Sequence, residues 1–247
     1  MTRLFRVFAP FRNRVVSRAP AACGSPLPFF ALRRLVVVLV ALPLGCTVAC
    51  GGAGDGAAGR DGRRAEVAEL LAIVRVVPER VTVLGYDRSL FGGWAPAGVG
   101  PGTGTGTHVG TGTGDTRDAI LAQWFGTGGG NGATIIADPY TGDDLTAEGV
   151  DIDHVYPLAA AWDFGAHLWD ARTRRAFAND AERNLVPVAS AVNRAKSDLT
   201  PAEWLPPNRS LRCDYSARYL RVAVAWRLAV SVADWEAMAD ACDITVR

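Results

Sequence analysis

The pattern of apolar and polar positions along the chain predicts a small α+β domain. Val150 and Ile152 alternate with acidic residues up to His154, and residues 185–188 form a second short apolar run, which predicts two strands. Shorter strands are predicted at 80–84 and 133–137. Apolar residues at helical spacing predict helices at 63–77, 116–125, 170–177, 190–197, 216–228 and 231–241. The motif Thr200-Pro201-Ala202-Glu203, with a capping residue, a first-turn proline and an acid at the third position, predicts one more helix start.

Composition divides the chain into three parts. Residues 1–50 begin with arginines, continue with the apolar run 35–44 and end in small residues, which is typical of a secretory signal peptide. Residues 51–79 are predicted to be a linker followed by a helix, and residues 80–247 a single domain. Alternating Gly and Thr at 102–114 predict a loop insertion. A phosphate-binding loop is the alternative for this segment, but no Gly-Lys-Ser/Thr follows it.

The predicted signal peptide indicates where in or outside the cell the protein is located. Its ten apolar residues, interrupted by Pro43, are too few for a membrane span of about 20 residues. Cys46 and Cys50 each follow small residues, as the lipid-modified cysteine of a bacterial lipoprotein does, although neither has a leucine three positions earlier. We therefore expect an exported monomer without a transmembrane segment, either extracellular or anchored by lipid on the outer face of the cytoplasmic membrane.

Removal of the signal reverses the sign of the net charge. Seven of the 26 basic residues lie in residues 1–50, which leaves 19 basic against 25 acidic residues, a net charge of about −6. A general positive field for nucleic acid is therefore excluded. The single lysine, Lys196, lies three positions after Asn193, so both share a face of the predicted helix. Two interpretations of Lys196 stay open, a phosphate contact and a solvated surface residue.

The residues with the clearest chemistry lie in Asp151-Ile152-Asp153-His154-Val155-Tyr156-Pro157. A carboxylate can bind a divalent metal ion, and the imidazole beside it can take a proton from water. Asn184 follows His154 by 30 residues, and Asn193 comes nine residues later in the predicted helix. On its own, an Asp-His pair is more often a surface or capping pair, so the two asparagines carry the functional interpretation.

Two cysteines remain in the body of the chain. Cys213 precedes the predicted helix 216–228, and Cys242 follows the predicted helix 231–241. If these helices pack antiparallel, the two cysteines lie side by side, and a disulfide would stabilise the protein by about 3–4 kcal/mol. Two free buried thiols are the alternative. No Cys-x-x-Cys pair exists and the three histidines are scattered, which argues against a structural zinc site.

The order of strand, long connection, strand and helix, together with these motifs, resembles the HNH endonuclease superfamily. More closely, the chain is similar to exported bacterial HNH proteins that share a domain with the nuclease part of modification-dependent restriction enzymes. The resemblance covers roughly residues 80–242, and it rests on these segments: 151–158, 176–180, 184–185, 193–198 and 201–207, with weaker matches at 86–88 and 115–117. One departure is Gly114, where similar proteins tend to carry a cysteine, so one disulfide of the family is in doubt.

The resemblance implies a ββα-metal finger embedded in a small, mostly helical domain. His154 would be the general base, Asn184 would orient it, and Asp153 and Asn193 would bind one divalent cation, Mg²⁺ or Mn²⁺. Three further residues are weaker candidates for binding phosphate groups: Arg117, Arg194 and Lys196. Asp151 alternates with Asp153 and would be a ligand, a supporting residue or a surface residue.

The resemblance thus implies an exported, metal-dependent endonuclease that hydrolyses the phosphodiester bonds of DNA, with activity on RNA left open. The alternative is a catalytically silent surface lipoprotein that keeps the same frame for binding.

Overall fold

The computed structural model describes residues 55–96, 114–126 and 134–245. The predicted signal, the lipid-anchor candidates Cys46 and Cys50, and the Gly/Thr loop apart from Gly114 lie outside these ranges. The described elements are α1 (Asp55–Ile73), β1 (Arg75–Val77), α2 (Thr116–Phe125), β2 (Ile136–Ala137), β3 (Asp144–Leu145), β4 (Val150–His154), α3 (Leu158–Asp163), α4 (Ala171–Ala178), β5 (Leu185–Ala189), α5 (Ser190–Lys196), α6 (Arg212–Ala225), β6 (Ala229–Ser231) and α7 (Val232–Asp240). Three short 3₁₀ helices cover Arg88–Phe91, Ala166–Leu168 and Arg209–Leu211. The α+β class is therefore confirmed.

The centre of the domain is an antiparallel pair of strands followed directly by a helix. β4 and β5 pair in register from Val150 opposite Ala189 to His154 opposite Leu185. α5 begins at Ser190, immediately after β5, and packs against both strands. The predicted order of strand, connection, strand and helix is present. Ala189 occupies the N-cap position of α5, and no side chain caps this helix.

The segment before residue 80 differs from its prediction. α1 already begins at Asp55, so most of the predicted linker is helical, and it ends at Ile73 instead of continuing to residue 77. Residues 75–77 instead form β1, which pairs in parallel with β6. β-branched Val76 and Val77 followed by Pro78 favour an extended backbone over a helix, and the partner strand is more than 150 positions away in the chain. Residues 80–84 form no regular strand.

The predicted helix start at Thr200 is a single turn. The Thr200 carbonyl oxygen accepts hydrogen bonds from the backbone N–H groups of Glu203 (2.8 Å) and Trp204 (2.9 Å). The helix does not continue, because Pro206 and Pro207 supply no backbone N–H group to extend it. The buried Asp234 fixes this turn by accepting a hydrogen bond from the backbone N–H of Ala202 (3.0 Å).

Aromatic side chains from several elements form the core. The rings of Tyr156 and Tyr219 stack with centroids 4.5 Å apart, and the hydroxyl of Tyr156 donates a 2.6 Å hydrogen bond to the Ala229 carbonyl oxygen. A disulfide joins Cys213 at the start of α6 to Cys242 after α7, with Cα atoms 4.8 Å apart. Among the described residues, no helix combines the length and apolar character needed to cross a membrane.

Candidate active site

Strand β4 presents different chemistry on its two faces, because successive side chains of a strand point to opposite sides. Ile152 and His154 point toward Trp94, which packs against Ile152 and stacks on His154. Asp151 and Asp153 point toward α5, where they meet Asn193 and Lys196. The structure therefore separates the predicted base from the predicted metal ligands by the thickness of the two-stranded sheet.

The His154 ring is held in one tautomer. Its Nε2 lies 2.9 Å from the carbonyl oxygen of Ala178, and a carbonyl oxygen can only accept a hydrogen bond, so Nε2 carries the proton. Nδ1 then has a free lone pair and no hydrogen-bond partner among the described residues. Burial lowers the pKa of His154 from 6.5 to about 3, against an opposing effect of the Ala178 carbonyl. The imidazole is therefore neutral at physiological pH, which is the form that can accept a proton.

His154 lines a small open pocket of about 100 Å³. Trp94 forms one wall, with its ring parallel to the imidazole (1° between the planes) and the centroids 5.9 Å apart. Asn179 fixes that wall, because its side chain accepts a hydrogen bond from the Ala95 N–H (2.8 Å) and donates one to the Gly93 carbonyl oxygen (3.3 Å). The complete lining consists of Arg88, Gly92, Gly93, Trp94, His154, Leu158, Ala178 and Asn179.

Asn184 connects the two strands just beyond His154. Its side-chain oxygen accepts a hydrogen bond from the Tyr156 N–H (2.8 Å), and its amide nitrogen donates to the Tyr156 carbonyl oxygen (3.4 Å). Its own carbonyl oxygen accepts a hydrogen bond from the Val155 N–H (2.8 Å). Asn184 is fully buried and does not line the pocket. Its side chain thus fixes the backbone of Tyr156, two residues beyond His154.

Asp153 lies in a buried ion pair. The Lys196 ammonium donates to Asp153 Oδ1 (3.0 Å) and to the His154 carbonyl oxygen (2.9 Å), and the Tyr140 hydroxyl donates to Asp153 Oδ2 (2.6 Å). Burial raises the pKa of Asp153, although Lys196 and Tyr140 act in the opposite direction. Both carboxylate oxygens are thus engaged by protein donors.

Both interpretations of Lys196 from the sequence are wrong in this structure. Its side chain is fully buried, so it is neither a solvated surface residue nor a phosphate contact. The i, i+3 spacing does place it near the face of Asn193, but that face packs on β4 instead of facing a substrate. The ammonium therefore meets the nearest buried carboxylate, Asp153.

A divalent cation fits one pair of these residues better than the predicted pair. The Asn193 Nδ2 donates a 3.3 Å hydrogen bond to Asp151 Oδ2, so a cation between them would require the amide to turn its oxygen inward; both residues are partly exposed. A carboxylate and an amide oxygen are ligands that Mg²⁺ and Mn²⁺ accept. Asp153 is a poorer ligand, because an ammonium group already neutralises it and would repel a second cation. Within the described ranges, no three His, Cys, Asp or Glu side chains converge as a metal cluster.

The predicted arginines lie elsewhere. Arg117 is in α2 and Arg194 is in α5, and neither lines the His154 pocket or forms an ion pair within the described part of the chain. The pocket instead contains Arg88, which the sequence indicates only through the weak match at 86–88.

Tyr140 and Asp138 were also missed. Asp138 accepts hydrogen bonds from the backbone N–H groups of Tyr140 (2.7 Å) and Ala189 (2.7 Å), which ties the turn at 138–142 to the end of β5. The Asp-Pro-Tyr-Thr-Gly turn was the available signal, but it gives no indication that the Tyr140 hydroxyl reaches Asp153.

Comparison with known proteins agrees with the resemblance seen in the sequence. Residues 130–241 match the family model of the C-terminal domain of GmrSD restriction endonucleases. This segment of the chain is therefore similar to a domain of nucleases related to restriction endonucleases.

A protein from the fungus Arthroderma benhamiae, described as an uncharacterized secreted protein, is 42% identical over 102 residues. The match covers 40% of this chain and 50% of the fungal protein, so the chain spans about half the length of this relative. The relative is fungal, and the bacterial origin of the predicted family is not confirmed. No solved structure gives a significant match.

Proposed function

We propose that the protein is an exported endonuclease that hydrolyses phosphodiester bonds at the His154 pocket. The observation that carries the proposal is a neutral imidazole whose Nε2–H is fixed on the Ala178 carbonyl and whose Nδ1 is free for water. The family match of residues 130–241 supports the reaction class. Nucleic acid is the substrate class that follows from a restriction-endonuclease relationship.

In the proposed reaction, His154 Nδ1 accepts a proton from a water molecule in the pocket. The water oxygen forms a bond to phosphorus as a phosphorus–oxygen ester bond breaks, and the departing oxygen takes up a proton from solvent. The Ala178 carbonyl stabilises the imidazolium that forms, since it accepts the Nε2–H hydrogen bond throughout. The negative charge of a bound phosphate would raise the depressed pKa of His154 and so strengthen the base when substrate is present.

We also propose that the protein binds a divalent cation, which Asp151 and Asn193 would hold. When bound, such an ion supplies positive charge that stabilises a phosphate group. Because these residues lie on the α5 face of β4, we propose that they bind and orient nucleic acid beside the sheet, whereas His154 handles the proton. This assignment replaces Asp153, which Lys196 and Tyr140 engage.

Export is proposed on two observations. The fungal relative is described as secreted, and the Cys213–Cys242 disulfide is a bond that persists in oxidising compartments. An extracellular location, with lipid anchoring at Cys46 or Cys50 as its variant, agrees with both.

The test is incubation of residues 51–247 with supercoiled plasmid, single-stranded DNA and RNA, with Mg²⁺, Mn²⁺ or a chelator. We expect nicking or degradation of at least one substrate, and weaker binding and hydrolysis in Asn193→Ala. Only 7% of the His154 surface is exposed, which favours the second candidate, a binding protein without hydrolysis. Binding of nucleic acid with no hydrolysis under any of these conditions would establish that candidate and refute ours.

A further inference from the structure

The His154 pocket contains one cation that no described residue neutralises. Arg88 lines the pocket, is exposed, and forms no hydrogen bond or ion pair among the described residues. Its neighbour Asp87 is already engaged, because the Asp87 carboxylate caps the 3₁₀ helix by accepting the Ser89 N–H (2.8 Å). The guanidinium therefore keeps all of its donors for a ligand.

The backbone that carries Arg88 is held in place. Phe91, at the end of the same 3₁₀ helix, is fully buried and contacts the rings of Trp162 and Phe177. Arg174 from α4 donates to the Leu90 carbonyl oxygen (3.0 Å). An arginine on a fixed backbone loses less freedom when it binds an anion than one on a loose loop.

The charge balance of the chain makes this single cation important. The part after residue 50 carries a net charge of about −6, with 19 basic and 25 acidic residues. Lys196, the only lysine in the sequence, already forms an ion pair with Asp153. A phosphodiester that approaches His154 therefore needs a local positive group, and Arg88 is the described residue that supplies one in the pocket.

We propose that Arg88 binds the phosphate group that His154-activated water attacks. A guanidinium presents two parallel N–H groups that match two phosphate oxygens, so it would both hold the group and orient it. This inference rests on the proposed function, since it names the phosphate-binding residue of the same pocket. The pocket, at about 100 Å³, is well below the roughly 300–1,000 Å³ of pockets for drug-sized ligands, so it suits a group of the size of a phosphate.

The first test compares Arg88→Gln and Arg88→Lys with Arg64→Gln, which removes an exposed arginine of α1. Binding of inorganic phosphate and dimethyl phosphate is measured by calorimetry, and kcat and KM are measured on an oligonucleotide. We expect Arg88→Gln to weaken phosphate binding and lower kcat/KM by about tenfold or more, with partial rescue in Arg88→Lys. Thermal stability should stay unchanged, because the guanidinium has no described partner to lose.

A second variant tests the pocket by shape. A Cβ atom added at Gly93, which lines the pocket, would meet no heavy atom within 4 Å, so Gly93→Ala should fold normally and narrow the pocket. We expect it to weaken phosphate binding as Arg88→Gln does.

The outcomes separate this inference from the proposed function. The inference would be overturned if the wild type hydrolyses nucleic acid and Arg88→Gln matches Arg64→Gln in both activity and phosphate binding. That result would leave the proposed function intact. Phosphate binding that depends on Arg88 in a protein that hydrolyses no substrate would support the inference and refute the function.

Discussion

Removal of the buried ammonium at Lys196 should strongly destabilise the protein. Lys196→Met preserves most of the side-chain volume but leaves the Asp153 carboxylate with Tyr140 as its remaining donor, in a site where both members of the pair are almost fully buried. It also leaves the His154 carbonyl oxygen without the 2.9 Å hydrogen bond from Lys196. Breaking a buried ion pair from one side costs about 3–5 kcal/mol, because an uncompensated charge stays in a low-dielectric site.

Urea denaturation, followed by fluorescence and circular dichroism, would measure this cost. Arg194→Met, on the exposed side of the same helix, is the matched control and should change the free energy of unfolding by less than about 0.5 kcal/mol. The double variant Asp153→Asn/Lys196→Met should be less destabilised than the sum of the two single variants by about 1 kcal/mol or more. A cost below about 1 kcal/mol for Lys196→Met, or strict additivity, would refute the ion pair as described.

Three further predictions concern stability. The pKa of His154 is lower in the folded protein (about 3) than its ordinary value of 6.5, so unfolding takes up a proton between these limits. The contribution of His154 to the free energy of unfolding is complete above about pH 6.5. It is lost at about 1.4 kcal/mol per pH unit as the pH falls toward 3. Wild type and His154→Gln should therefore converge in stability at low pH, and a constant difference between them would contradict the buried neutral imidazole. Cys213→Ser/Cys242→Ser should lower the free energy of unfolding, measured in urea, by about 3–4 kcal/mol, since the disulfide closes a loop with a sequence separation of 29. An unchanged midpoint of urea denaturation would contradict this. Asn184→Ala leaves two buried backbone groups of Tyr156 without partners and should cost about 2–4 kcal/mol, whereas a cost near zero would show that Asn184 does not fix this backbone.

The sequence predicts most of the helices and strands around the site. Helix α2 is confirmed from Thr116 to Phe125 because Asp115 and Asp118 form a capping box and Gly126 ends the helix, which are all local signals. Ser231 likewise caps α7 at the predicted start of that helix, and Asp234 completes its capping box. The strands β4 and β5 follow from alternation and from short apolar runs, which also need no information from distant residues.

The contacts within the site depend on residues that are far apart in the chain. Lys196 and Asp153 are separated by 43 positions, and the sequence contains no signal that an ammonium closes on that carboxylate. The pocket around His154 is built from Arg88 and Trp94 of one segment and from the carbonyl of Ala178, which lies more than 80 positions later in the chain. Spacing along one element predicted which residues share a face, but not what packs on that face.

The single most direct test of the central claim is the rate of metal-supported plasmid nicking by His154→Ala relative to the wild type. His167→Ala is the matched control, because that imidazole bonds the Trp162 carbonyl oxygen (2.8 Å) and lies outside the His154 pocket. Loss of a positioned general base lowers a rate by about 10²–10⁴-fold, so we expect a loss of at least about a hundredfold in His154→Ala and wild-type nicking in His167→Ala. Equal nicking by a folded His154→Ala protein and the wild type would contradict the account.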